Sequence, residues 1–343
     1  MKITAPSSMS RRTFVKASLG TAAGTWLTSR GRSARAQSVK ATTLRFGGPM
    51  PLTTNYGQAM VKFGDELAKL SNNQIKIEVY PSNQLGGLKD MLTAVQLGTQ
   101  SMVIATPAWV SNFAKQMDVF SLLYIAKSED KLFKALDGPF GKRMAAYTEP
   151  AGLKVLNWWN SGPRHMLNNA RPINAPADMK GLKMRVQSSQ VWLESMRALG
   201  ANPITLDFPE VYLALQQNTI DGFENPAPDI AAGKFYEVGK YLSLTAHTFD
   251  IFVVIINKKL WDGFNPEHQA MIAQAMQNTT EWQRTAQTAE VKAALDQLRG
   301  KMQVNDVSDA DRQLFAKAVR PVYDKFAAKL GKDLIDQAIH EFG

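Results

Sequence analysis

The chain has 343 residues, 45% apolar and 20% charged, which is ordinary for a soluble protein and long enough for two domains with buried cores. Its formal charge of +10 is concentrated at one end: residues 1–36 hold Lys2, Arg11, Arg12, Lys16, Arg30, Arg32 and Arg35 and no acid, so 33 of the 40 basic residues face 30 acidic ones in the remainder. That near balance removes any general electrostatic footprint for nucleic acid, and the absence of cysteine excludes thiolate metal sites, iron-sulfur clusters and a cysteine nucleophile.

Residues 1–36 have the order of an export signal. Arg11-Arg12 precede a short, weakly apolar stretch from Ala17 to Leu27, and "SARAQ" offers a cleavage site at Ala34-x-Ala36. The segment reads as a cleaved twin-arginine signal, so the expected partner during export is the twin-arginine translocase and the expected destination the periplasm. No later stretch approaches 18 consecutive apolar residues, and none is expected to span a bilayer as a helix.

Strands and helices then alternate. "TLRFGG" is a short strand with Leu44 and Phe46 inward; Met60, Phe63, Leu67 and Leu70 follow at helical spacing. "QIKIEVYP" alternates until Pro81, a helix fits Leu88 to Leu97 before Gly98, and "MVIA" (102–105) is a short buried strand. A βαβαβ opening implies a parallel sheet with helices packed on it, whose ligands bind beyond the strand carboxyl ends.

"LKVLNWWN" (153–160) reads as a strand leaving this unit, with a turn at "SGPRH". "GLKMRV" reads as the first strand of a second unit, with Met184 and Val186 alternating with Lys183 and Arg185. "FPEVYLALQQNTIDGFENP" supplies a helix with Pro209 in its first turn and a turn at Asp221-Gly222, while "IFVVIIN" (251–257) reads as a fully buried strand. From Glu267 to Arg299 there is neither glycine nor proline, and Asn265-Pro266 and Gly300 suit its two ends. A continuous helix there would reach roughly 50 Å and lie along both units. The alternative is two helices with a bend near Asn278-Thr279-Thr280.

Catalytic signals are weak. His165, His247, His268 and His340 have no metal-ligand spacing, and there is no G-x-S-x-G elbow, Walker A loop or G-x-G-x-x-G after a strand. No enzyme and no cofactor is expected. A binding site has more support: Arg164 and Arg185 follow turn signals near strand ends, and Asn225 lies in "DGFENP". A guanidinium is a rigid fork that can hold a carboxylate by two parallel charge-assisted bonds. The bland reading of each arginine is a solvated face or a surface salt bridge, for example with Glu194. Trp109, Trp158 and Trp159 either wall a cavity or pack in the core, since adjacent strand residues face opposite sides.

"YPSNQLGG", "AVQLGT", "GPRHMLNNARPINAPADMKGLKMRV", "LGANPITLDFPEVYLALQQNTIDGFENP" and "KFYEVGKYLSLTAH" resemble, in order and spacing, the substrate-binding proteins of TRAP (tripartite ATP-independent periplasmic) transporters. The likeness runs from about Thr43 to Gly300. It implies an α/β fold of two lobes with crossing strands and a long helix spanning both: lobe I from 39–162 and 251–290, lobe II from 163–250 and 291–343.

The resemblance implies that Arg185 clamps a ligand carboxylate, that Arg164 is a second contact, that Asn225 offers its amide and that Phe208 packs on the ligand. Glu224 is followed by Asn225 and not by tryptophan, which departs from members that bind 2-oxo acids through a metal. Sialic-acid binders carry an arginine where this chain has Lys89 nearby and an acid where it has Thr106, so a smaller or less hydroxylated acid, aromatic acids included, is expected. The implied function is capture of a small organic acid by lobe closure and delivery to an integral membrane TRAP permease. The alternatives are a carboxylate sensor for a signalling system and a periplasmic enzyme acting on an organic acid.

Overall fold

The computed structural model describes residues 42–343. The export signal read in residues 1–36 lies outside them. The first unit runs β1 (Thr42–Gly47), α1 (Asn55–Leu70), β2 (Ile75–Tyr80), α2 (Leu88–Leu97) and β3 (Met102–Ala105). Its strands pair in parallel in the order β2-β1-β3, as the alternating pattern requires. Three short helices follow, α3 (Pro107–Val110), α4 (Glu129–Asp137) and α5 (Pro139–Ala146).

The next element corrects the expected turn at "SGPRH". β4 is one strand from Leu153 to Asn168, and it absorbs Gly162-Pro163 as a β-bulge instead of ending there. Gly162 has φ +99°, a conformation that side chains disfavour, which lets the strand kink and continue. The amino-terminal part of β4 pairs with the first sheet and its last five residues with the second, so β4 crosses between lobes.

The second unit comprises β5 (Lys183–Val186), α6 (Gln190–Ala198), β6 (Asn202–Thr205), α7 (Phe208–Gln216), β7 (Gly222–Pro226), α8 (Ala227–Ala232) and β8 (Tyr241–Leu244). β7-β5-β6 are parallel, and β4 joins them antiparallel to β7. Asn225 sits on buried β7, just past the turn that ends at Asp221. β9 (Phe249–Asn257) returns antiparallel to both β3 and β4, buried along nearly its whole length. After α9 (Lys258–Gly263) come α10 (Pro266–Arg299), β10 (Gln303–Asp306), α11 (Asp309–Leu330) and α12 (Lys332–Phe342).

α10 is one helix of 34 residues, without a break at Asn278-Thr279-Thr280. The Asn265 side chain caps it by accepting from the His268 amide, with Pro266 at its first position. Ile272, Ala275 and Met276 bury in the first lobe with Phe46 and Phe63, whereas Ala294 and Leu298 bury in the second with Phe223 and Leu242. Between them its buried face turns polar to serve the bulge in β4. Gln283 accepts from the Asn160 amide at 2.8 Å and donates to the Asn160 carbonyl at 2.7 Å, and Gln287 donates to the Ser161 carbonyl at 3.0 Å. The bulge frees backbone groups from the ladder, and these glutamines satisfy them.

After α10, β10 pairs with β8, while the C-terminal helices pack against more than one core. Phe315 and Val319 of α11 pack in the second lobe, while Tyr323 and Phe326 and then Leu334, Ile335 and Phe342 of α12 join the first-lobe core with Phe120 and Phe140. Apolar faces at the two ends of α11 thus bridge the lobes a second time.

Trp158 and Trp159 point to opposite faces of β4. Trp158 packs on Phe120 in one core; Trp159 is fully buried beside Phe46 in another and donates its indole N–H to Thr280 Oγ1 at 3.0 Å. Replacing Trp159 with alanine should cost about 3–5 kcal/mol, read as a fall in the denaturation midpoint; a loss under about 1 kcal/mol would show that β4 is not anchored there.

Candidate functional site

The carboxyl ends of β3, β5 and β6 converge where the lobes meet. Thr106 follows β3, Gln187 follows β5, and Leu206 follows β6. Thr106 and Gln187, with Trp109, Phe208, Asn225, Asp229 and the two arginines, line a narrow cavity whose accessible volume is about 30 Å³. The lobes touch around it. The Thr106 hydroxyl bonds the Gln187 side chain, the Asn112 amide donates to the Ser188 carbonyl at 3.0 Å, and Gly87 at the start of α2 lies against Asp207 at the start of α7.

Arg185 and Arg164 are both 1% exposed, yet their surroundings differ. Arg164 is neutralised by protein. Its Nε and one terminal nitrogen straddle the Glu224 carboxylate, that same nitrogen also donates to the Glu224 carbonyl at 2.6 Å, and the other donates to Asp250 at 2.5 Å. Burial opposes its charge, but Glu224 and Asp250 outweigh burial and raise its pKa. Trp192 covers its guanidinium at 5.6 Å.

Arg185 makes no ion pair among the described residues. Its Nε and one terminal nitrogen share the Leu206 carbonyl, at 2.9 and 2.8 Å, which fixes the fork while leaving the other terminal nitrogen for the cavity. Burial pulls its pKa down to about 10, with attraction from Glu224 opposing it and repulsion from Arg164 adding to it, so it stays charged at neutral pH. Phe208 lies 6.0 Å from the guanidinium carbon. A buried cation without its own anion is costly unless a ligand supplies one.

Of the residues expected to bind ligand, the fold gathers Arg185, Arg164, Asn225, Phe208 and Trp109 around the cavity. It does not bring the others there. Lys89 is exposed on α2, where its neighbour Leu88 faces the cavity instead, and Trp158 and Trp159 are core residues because β4 is continuous. Gln187 and Asp229 were missed. Gln187 had a usable signal in its position just past a parallel strand; Asp229, in the first turn of α8 after a proline, reads from sequence as an ordinary helix-start acid.

The two arginines should separate experimentally. Arg164→Met leaves buried Asp250 without an ion pair and Glu224 with His247 alone, and should cost about 3–5 kcal/mol in denaturant unfolding of the ligand-free protein. Arg185→Met should cost far less, because relief of a buried charge offsets the lost bond to Leu206; equal losses would mean that Arg185 too is a structural cation.

The sequence profile described as bacterial extracellular solute-binding protein, family 7, matches residues 46–330. The chain is 33% identical to the 2,3-diketo-L-gulonate-binding periplasmic protein of Escherichia coli, over 87% of this chain and 92% of that protein. It is 32% identical to the C4-dicarboxylate-binding periplasmic protein of Rhodobacter capsulatus, over 85% and 88%. Its fold is similar to that of a TRAP periplasmic solute-binding protein from a Polaromonas species bound to D-erythronate, with a TM-score of 0.84, 33% identity and coverage of 87% of this chain and 98% of that one.

Proposed function

The chain belongs to the TRAP periplasmic solute-binding proteins, bacterial extracellular solute-binding protein family 7, and from that premise we propose that it captures a small organic acid by pairing the acid's carboxylate with Arg185. The observation that carries this reading is the buried Arg185 guanidinium, held by Leu206 and without an ion-paired protein carboxylate, at the wall of the cavity between the lobes. The acid supplies the missing charge, and Asn225 and Gln187 offer amides to its remaining lone pairs. Trp109 and Phe208 cover its carbon skeleton. The ligands named for the relatives, D-erythronate and C4-dicarboxylates, are small organic acids.

In this reading the protein is a receptor and performs no chemistry on the acid. The open form exposes Arg185, the acid docks, and the lobes close by bending where β4 and β9 cross. The acid favours closure only through its greater affinity for the closed state. The closed form then delivers the acid to a membrane permease, after export through the twin-arginine translocase on the strength of residues 1–36.

A thermal-shift panel on the chain from Gln37 onward, using erythronate, succinate, butanoate and their amides, tests the ligand class. At one hundred times its dissociation constant an acid should raise the midpoint by about 5 °C, with no shift for the amides or for Arg185→Met. Equal shifts from acids and amides would overturn the role of Arg185.

Closure has its own test. A side chain at Gly87 would begin 2.4 Å from an Asp207 carboxylate oxygen of the facing lobe. Gly87 has φ −65°, which any residue adopts, so Gly87→Phe should fold normally and wedge the lobes apart. Acid affinity should fall at least about tenfold and small-angle scattering should show a more open molecule; unchanged affinity would mean that binding does not need these surfaces to meet.

A further inference from the structure

Asp229 is the titratable group at the cavity that pairing with Arg185 leaves unused. It is 4% exposed, it lines the cavity, and its Oδ1 is buried with no hydrogen-bond partner among the described residues. Buried carboxyls are ordinarily ion-paired or hydrogen-bonded, so an orphan at a ligand cavity points to a partner that arrives with the ligand. Neither arginine forms an ion pair with it: Arg164 is taken by Glu224 and Asp250, and Arg185 is held at Leu206.

The surroundings of Asp229 decide what that partner is. Asp250 on β9 and Glu290 on α10 act on it with repulsion, and Glu290 itself is occupied by the Asn55 amide at 2.8 Å. Burial, with that repulsion added, pushes its pKa well above the usual carboxylate range and favours the protonated acid. A second carboxylate placed here would meet the same repulsion from Asp250 and Glu290 that acts on Asp229. A hydroxyl would not be repelled, and it can donate to one oxygen of the Asp229 carboxyl while accepting from the other.

We propose that Asp229 reads a hydroxyl group on the bound acid, so that the preferred ligand is a small hydroxylated monocarboxylate and neither a dicarboxylate nor an unsubstituted fatty acid. This rests on the proposed pairing of the ligand carboxylate with Arg185. It also revises the expectation, drawn from Lys89 and Thr106, of a less hydroxylated ligand: the proposed polar partner is Asp229, on α8.

Calorimetry with erythronate, butanoate and succinate on wild type, Asp229→Asn and Asp229→Leu tests this. Wild type should bind erythronate at least about tenfold more tightly than butanoate or succinate, the worth of roughly one well-made hydrogen bond in a dry site. Asp229→Asn keeps one donor and one acceptor and should retain the preference. Asp229→Leu should bind erythronate and butanoate within about threefold of each other, with butanoate affinity unchanged or improved, and that retained affinity reports an intact fold. If wild type binds the acids through Arg185 but Asp229→Leu keeps the full preference, or succinate binds best, the role of Asp229 falls while the receptor reading stands. If wild type binds no carboxylate, both fall.

Discussion

A buried guanidinium without a counter-ion is the constraint around which the cavity is organised. Charge in a dry interior is costly, and the fold answers that cost differently at two neighbouring arginines. Arg164 is closed into the protein by a bidentate bond to Glu224 and a further one to Asp250. Arg185 receives one carbonyl, from Leu206, which orients it without neutralising it. The first arginine welds β4, β7 and β9 together at the lobe junction; the second has no ion-paired protein carboxylate, and the proposed organic acid would supply that charge. Arg164 repels Arg185, and Glu224, though bonded to Arg164, offsets part of the cost of burying it.

The crossing elements give Arg185 its setting. β4 belongs to both sheets because a left-handed glycine lets it kink instead of stopping, and α10 covers the kink with two glutamines that hold the freed backbone groups. β9 carries Asp250 to Arg164 and Phe252 to the cavity wall. The side chains that meet across the cavity come from the two lobes, Thr106 and Trp109 from one and Gln187, Phe208 and Asn225 from the other. The site is complete only when the lobes are together. A small acid is then enclosed from both sides, which joins binding to a change of shape that a membrane partner can recognise.

Much of this is legible in the sequence, and the gaps have physical causes. Alternation in β1 and β2, the apolar run of β9 and the uninterrupted stretch of α10 are local signals, and they predict those elements closely. The continuity of β4 is hidden because Gly162-Pro163 is a turn signal by every local rule, and only pairing with β9 and support from α10 override it. Trp158 and Trp159 anchor two cores, which is the core-packing alternative of the two that the strand pattern left open. The motif around Arg185 identified the cation, but whether a cation is neutralised depends on carboxylates distant in sequence, Glu224 being 60 residues and Asp250 86 residues from Arg164. Asp229 was hidden for a different reason: an acid at a helix start has an ordinary explanation, and only burial shows that this one is unusual.

The most direct measurement is a crystal structure of the protein with a bound hydroxy acid. Its carboxylate should lie about 2.7–2.9 Å from the Arg185 guanidinium, with the bonds of Arg164 to Glu224 and Asp250 intact. A carboxylate seated on Arg164 with Glu224 displaced, or held away from both arginines, would show that the unbalanced charge at Arg185 does not select the ligand.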